Sequence, residues 1–189
     1  SHTLPLETAQ KVYSLSNCFN VEMLSVYGKE WALESRNGYL FKKKKPIYIT
    51  DGTLCSFKDT LDHISMNKLI FMAEEEEELR GLECIIRKEI GDDVSYYAGS
   101  DFLEIMPRNT NKGQAIKDLS SLLSIPLSEI MVIGDDNNDI EMLNLSGVSV
   151  VMENADDKIK MLGDYITARN NDNGVAHAIK HFWEDIKND

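Results

Sequence analysis

Residues Ile130 to Ile133 form a four-residue apolar run that ends at Gly134 and is followed by Asp135-Asp136-Asn137-Asn138-Asp139. Four apolar residues bounded by polar neighbours are too few for a buried helix and fit a strand buried on both faces of a parallel sheet. The run therefore points to an α/β fold. Gly134 lets the backbone turn tightly, so the acidic residues fall in the loop and first helical turn past the strand's carboxyl end, where open α/β sheets bind ligands. Carboxylates gathered this closely repel one another unless a proton or metal offsets their charge. Hard oxygen donors suit Mg²⁺, held at about 2.0–2.1 Å in an octahedron that keeps some water. Asp135, directly after the glycine, is the best-placed direct ligand. An acidic helix cap accounts for the same residues, because Asp and Asn satisfy helix N-termini and suit their dipole. Spacing alone leaves both readings open.

The rhythm of the chain changes at Pro107. Before it, a helix over Leu6 to Leu15 precedes a hairpin of Phe19 to Tyr27 and Glu30 to Ser35, and Asn67 to Met72 reads as another strand. A helix over Glu74 to Glu89 carries Leu79, Leu82, Ile85, Ile86 and Ile90 on one stripe, with Glu74 to Glu78 at its amino end. Asp93 to Ala98 and Asp101 to Met106 then pair through Gly99-Ser100. This half is an α+β layer. Beyond Pro107, helix and strand alternate. Lys112 to Leu123 is helical with Ile116, Leu119, Leu122 and Leu123 inward, and the acidic strand and loop follow. Next come a helix at Ile140 to Leu145, a buried strand at Val148 to Met152, a helix at Asp156 to Met161 and a strand at Tyr165 to Thr167. Val175, Ile179 and Phe182 stripe the final helix. The expected domains are 1–107 and 108–189.

Charge and cysteine usage bound the partners. A net charge of −12 argues against nucleic acid or an anionic membrane surface, and no apolar stretch approaches the roughly 20 residues that span a bilayer. Cys18, Cys55 and Cys84 lack any CxxC or Cys/His spacing, so reduced thiols in a cytoplasmic protein are expected. The chain opens with Ser1-His2 and no initiator methionine, which fits a vector remnant or a start inside a longer gene product.

Several linked motifs carry a resemblance. Phe102-Leu-Glu-Ile-Met-Pro is followed by Asn111-Lys112-Gly113 and then by Gly134-Asp135-Asp136-Asn137-Asn138-Asp139. Asn154-Ala155, Asp164-Tyr165-Ile166-Thr167 and Asn173-Gly174-Val175-Ala176 complete the series. In order and interval this resembles the haloacid dehalogenase superfamily, specifically its Cof-type phosphatases, over essentially the whole chain. The resemblance implies a partial Rossmann-like core, a parallel sheet with flanking helices, preceded by an α+β cap of class IIB type. It implies an Mg²⁺-dependent phosphohydrolase acting on small phosphorylated metabolites such as sugar phosphates. Lys112 matches the family's lysine, which neutralises the nucleophile and the transferring phosphoryl group. Asp135 matches its Mg²⁺ ligand, Asn138 the asparagine that holds the substrate phosphate, and Asp139 the second acidic position, which binds the metal or orients its shell. Asp136 and Asn137 occupy variable positions, and Glu153 stands where relatives commonly have glycine.

The largest departure from the family is an absence. Its members begin with Asp-x-Asp-Gly-Thr, whose first aspartate attacks phosphorus to form an aspartyl-phosphate and whose second is the general acid and base. The similar Tyr48-Ile49-Thr50-Asp51-Gly52-Thr53-Leu54 has Ile49 in the nucleophile's place and falls where the cap is expected, before a helix carrying Phe57, Leu61 and Ile64. The isolated chain is therefore expected to be inactive. In the family the missing strand lies beside the one ending at Gly134, so that apolar edge is expected to be covered by another copy, a rearranged segment or an N-terminal piece outside this chain. Two further readings are a naturally truncated, non-catalytic binding protein and an unrelated response-regulator-like metal module. Lys42 to Lys45 read as a solvated turn before a proline, His177 and His181 as exposed, and Trp31 and Trp183 as packing residues.

Overall fold

The computed structural model describes residues 3–28, 30–33, 53–57, 65–99 and 101–186, and the chain divides into two compact units, Ser1–Thr110 and Asn111–Asp189. The first unit contains helices α1 (Leu6–Ser16) and α2 (Glu76–Glu89). Its strands are β1 (Glu22–Tyr27), β2 (Glu30–Leu33), β3 (Thr53–Leu54), β4 (Lys68–Met72), β5 (Val94–Ala98) and β6 (Phe102–Pro107). They form one sheet in the order β3-β2-β1-β4-β6-β5, antiparallel except where β3 runs parallel to β2. The helices form where apolar residues recur on one side, Ala9 and Val12 in α1 and Leu79, Leu82 and Ile86 in α2, and both pack against Met23, Leu69, Phe71, Leu103 and Ile105 of the sheet. Side chains as fully buried as Phe71, Leu82 and Ile105 contribute roughly 1.5–3 kcal/mol each. A guanidinium contact ties α2 to β5, with Arg87 lying 4.3 Å over the Tyr96 ring. Leu24, Trp31, Leu33, Ile70 and Met72 form a second buried cluster.

Half of the misleading Asp-Gly-Thr-Leu falls within the described residues. Thr53 and Leu54 are β3, at the outer edge of the first unit's sheet, while Asp51, Gly52 and Lys42 to Lys45 lie outside the described residues. Pro107, the expected domain boundary, is still paired with Val94 as the last residue of β6. The chain turns at Asn109, whose φ of 60° is left-handed, and the second unit starts at Asn111.

The second unit alternates helix and strand. After α3 (Lys112–Leu123) come β7 (Met131–Gly134), the short α4 (Ile140–Leu143), β8 (Val148–Met152), the short α5 (Asp157–Lys160), β9 (Tyr165–Thr167) and α6 (Gly174–Ile186). The three strands are parallel, in the order β7-β8-β9, so β7 is an edge strand among the described residues. On one face Val132 and Val151 pack with Met142, Leu143 and Ile159 from α4 and α5, and with Ile116 of α3. On the other face α6 packs on β8 and β9, its start held where Thr167 Oγ1 donates to Gly174 O at 2.7 Å. The strand at 130–133 was expected to be buried on both faces. Val132 is, but Met131 and Ile133 are only half-buried, because α6 covers β8 and β9.

Two helix faces depart from expectation for the same reason. On α3, Ile116 packs inward, but Leu119, Leu122 and Leu123 are exposed, Leu122 at 79%. On α6 the buried residue is Ala178, Phe182 is half-buried, and Val175, Ile179 and Trp183 are exposed. Both stripes keep helical spacing. The expectation failed because an apolar stripe signals a face that needs covering, and no described residue of this chain covers these. Trp31 packs, being 6% exposed, whereas Trp183 is 58% exposed. No helix among the described residues is long and apolar enough to cross a membrane.

At the amino ends of β8 and β9 the strands are clasped by Asp164, which accepts from Ser149 N and Ser149 Oγ, both at 2.8 Å. The backbone bond from Ser149, followed by its side-chain bond, holds the Asp164 carboxyl below the ordinary aspartate range. A depressed carboxylate pKa stabilises the fold above the unfolded-state value and loses that contribution as pH falls through the folded value. Asp164→Asn should therefore lower the urea midpoint at pH 7, and the gap from the parent chain should narrow as pH falls below the ordinary aspartate value of about 3.9. A gap that persists unchanged at low pH would show that the charge is not what matters.

Candidate active site

The site is built from the carboxyl ends of the three parallel strands. Asn111 caps α3, its side chain accepting from Gln114 N at 2.7 Å, and so fixes Lys112 as the first helical residue. Lys112 Nζ reaches Asp139 Oδ1 at 2.5 Å and Asn138 Oδ1 at 3.2 Å. Asp139 is nearly sealed, its side chain 3% exposed against 50% for Lys112. Its other oxygen, Oδ2, accepts from Asp135 N at 2.9 Å and Asp136 N at 3.1 Å. A buried carboxylate with a cation on one oxygen and two amides on the other has its charge compensated, which is the condition for burying it at all. Gly134 makes this possible, because a Cβ there would lie 2.5 Å from Asp139 Cβ. Gly113 plays a similar part, since a Cβ would meet Glu141 Cβ at 2.7 Å and push α3 away from α4.

The helix-cap reading of the acidic cluster is realised, and it leaves Asp135 aside. Asp136 and Asp139 form a capping box around the single 3-10 turn Asn137–Asp139. Asp135 stands outside that box, half-buried immediately after β7. Its Oδ2 accepts from Asn154 Nδ2 at 2.8 Å, and Asn154 Oδ1 accepts from Asn170 N at 2.9 Å. Nearby, Arg169 Nε lies 3.7 Å from Glu153 Oε2.

Asp135 offers a hard carboxylate whose Oδ2 accepts from the neutral amide of Asn154, and Lys112 is directed to Asp139 and Asn138 instead. That leaves local negative charge suited to a hard cation. Asp139 orients the loop and Lys112; with both oxygens engaged, it is not arranged as a direct ligand. Among the described residues no group of three or more His, Cys, Asp and Glu could hold a metal, so Asp135 needs ligands from elsewhere. His177 and His181 are exposed on α6, and His181 stacks on Tyr165 with ring centres 4.5 Å apart. Asn170 escaped the reading from sequence, and Asn111 and Asn154 appeared there only as parts of motifs. A polar residue just past a strand's carboxyl end was the available signal.

The family profile of haloacid dehalogenase-like hydrolases matches residues 1–179. The chain belongs to that family. The haloacid dehalogenase-like assignment sets aside the response-regulator-like reading. Phosphatase YwpJ of Bacillus subtilis is 40% identical over 96 residues, which are 50% of this chain and 34% of that protein. A solved haloacid dehalogenase-like hydrolase from Bacteroides thetaiotaomicron superposes with a TM-score of 0.85 at 24% identity, covering 96% of this chain and 68% of that one. The sugar phosphatase BT4131, of haloacid dehalogenase subclass IIB, superposes with a TM-score of 0.79 at 21% identity over 96% of this chain and 68% of its own. The fold is thus that of the subclass IIB enzymes. The chain spans about a third of the length of curated relatives such as YwpJ and about two thirds of these solved structures.

Removing Asp139 should damage this haloacid dehalogenase-like unit more than removing Asp135. Asp139→Ala leaves two inward amides without an acceptor and should cost about 1–3 kcal/mol in urea denaturation, whereas Asp135→Ala breaks only a bond to an exposed amide. Equal losses for the two variants would sink the claim that Asp139 organises the loop.

Proposed function

We propose that this chain is the cap and C-terminal core portion of an Mg²⁺-dependent phosphohydrolase that cleaves a small phosphorylated metabolite such as a sugar phosphate. The observation that carries the reading is the junction at Lys112, where one ammonium joins Asn138 and Asp139 beside Asp135. Phosphoryl transfer depends on clamping charge around the transferring group, and this corner supplies both signs at the strand ends. Lys112 would hold negative charge on the transferring phosphoryl group. Asn138 takes the Lys112 proton at Oδ1, so its Nδ2 remains the donor for a phosphate oxygen. Asp135 would hold Mg²⁺, which when bound shields phosphoryl charge. Asp139 keeps Lys112 and the loop in register. The sugar phosphatase BT4131 and the other phosphatases among the relatives support this substrate class.

The attacking and acid–base aspartates of Asp-x-Asp-Gly-Thr have no counterpart at Ile49 and Asp51, so in this reading they belong to a segment outside these 189 residues. That segment would add a strand on the free side of β7. Its support is the apolar surface around that edge: half-buried Met131 and Ile133, and the exposed stripes of α3 and α6. Val175, Ile179 and Trp183 lie on the flank of α6 opposite His181, which touches Tyr165 of β9, so they face the β7 side. Cys18, Cys55 and Cys84 form no disulfide among the described residues, which suits the reducing cytoplasm we assign to the protein.

The test compares two proteins with p-nitrophenyl phosphate and Mg²⁺. The chain alone should show no turnover above buffer. A version extended to include an Asp-x-Asp-Gly-Thr strand should turn over, and Lys112→Ala in that version should lower kcat by about 10²–10³. Robust hydrolysis by the unextended chain, or an extended protein that folds but is inert, would overturn the proposal.

A further inference from the structure

The loops leaving β7, β8 and β9 meet at one side chain. Asn154, just past β8, donates from Nδ2 to Asp135 Oδ2 past β7 at 2.8 Å and accepts at Oδ1 from Asn170 N past β9 at 2.9 Å. The polarity of this bridge is fixed. A backbone N–H can only donate, so Oδ1 must face Asn170 and the amide NH₂ must face Asp135. The bond occupies one oxygen of Asp135 and orients its carboxylate while leaving Oδ1 for a cation. The choice of an amide matters electrostatically. A lysine here would neutralise Asp135 and compete with a metal, and a second carboxylate would repel it. Asn154 fixes the ligand without altering the charge offered. Lys112 shows the contrast, because its charge is directed to Asp139 and Asn138.

We propose that Asn154 is a positioning residue for Asp135, setting its cation affinity, and that the Asn170 amide in turn holds Asn154. The inference deepens the reading above and rests on Asp135 being the metal ligand. It differs from a merely structural role in what it moves. A bridge that only tied loops together would change stability and leave metal affinity alone. A group that orients a ligand should change affinity by about 10–100-fold when removed.

The experiment titrates the chain extended to include its Asp-x-Asp-Gly-Thr strand, the parent here, with Mn²⁺ and follows water-proton relaxation, alongside urea denaturation without metal. Asp135→Asn should abolish the response, and Asn154→Ala should weaken Mn²⁺ binding by about 10–100-fold. Asn170→Pro provides a second route, because it deletes the amide that holds Asn154 and leaves the Asn154 side chain intact. Proline suits that position, since Asn170 is the first residue of a 3-10 turn and Arg169 before it has φ −63° and ψ 158°. It should weaken binding in the same direction, by several-fold. If Asn154→Ala fails to fold, Asn170→Pro decides alone, and unchanged affinity in it overturns the proposal. Loss of binding in Asp135→Asn with Asn154→Ala within about twofold of the parent overturns the role of Asn154 and spares the metal reading. No Mn²⁺ binding by the parent chain, or binding indifferent to Asp135→Asn, overturns both.

Discussion

The burial of Asp139 is the constraint from which the site's geometry follows. A carboxylate only 3% exposed must be compensated on both oxygens, and it draws its partners from two places in sequence: Lys112 at the start of α3, and the amides of Asp135 and Asp136 past β7. The two amides curl the loop back over Gly134, which turns Asp135 away from the capping box and toward the β8 loop. The Lys112 bond brings an ammonium to the same place and, through Asn138, sets which end of that amide donates. The acidic helix cap is thus the device that sets Asp135 and Lys112 in place at the strand ends.

The parallel sheet of the second unit is covered unevenly by the described residues. Helices α4 and α5 cover one face of β7-β8-β9 and α6 covers β8 and β9 on the other, so the free side of β7 and the apolar stripes of α3 and α6 are left without cover from the described residues. Parallel strands with apolar residues on both faces are stable when those faces are buried.

Much was legible in the sequence where local physics is self-sufficient. Amphipathic spacing located α1 and α2, alternation located the β1–β2 and β5–β6 hairpins, and short apolar runs located β7 and β8. Lys112, Asp135, Asn138 and Asp139 could be singled out from their motifs, and the fold brings them together at the strand ends. Less was legible where one element depends on another. Leu119, Leu122, Val175 and Ile179 have inward-type periodicity yet stand exposed, because periodicity identifies an apolar face and says nothing of what lies opposite it. Thr53 and Leu54, read within a misleading motif, are an edge strand of the first unit's sheet through pairing with β2.

Residue order by itself determined the α/β character of the second half, the family, and the identity of the charged groups, since each depends on spacing along the chain. The tertiary structure alone decided what those groups do to one another. It sealed Asp139 and left Asp135 half-open, directed Lys112 to Asn138 and Asp139, and set Asn154 between Asp135 and Asn170. Those outcomes depend on distances of about a hydrogen bond between residues far apart in sequence, and only the packing of three strand ends fixes such distances.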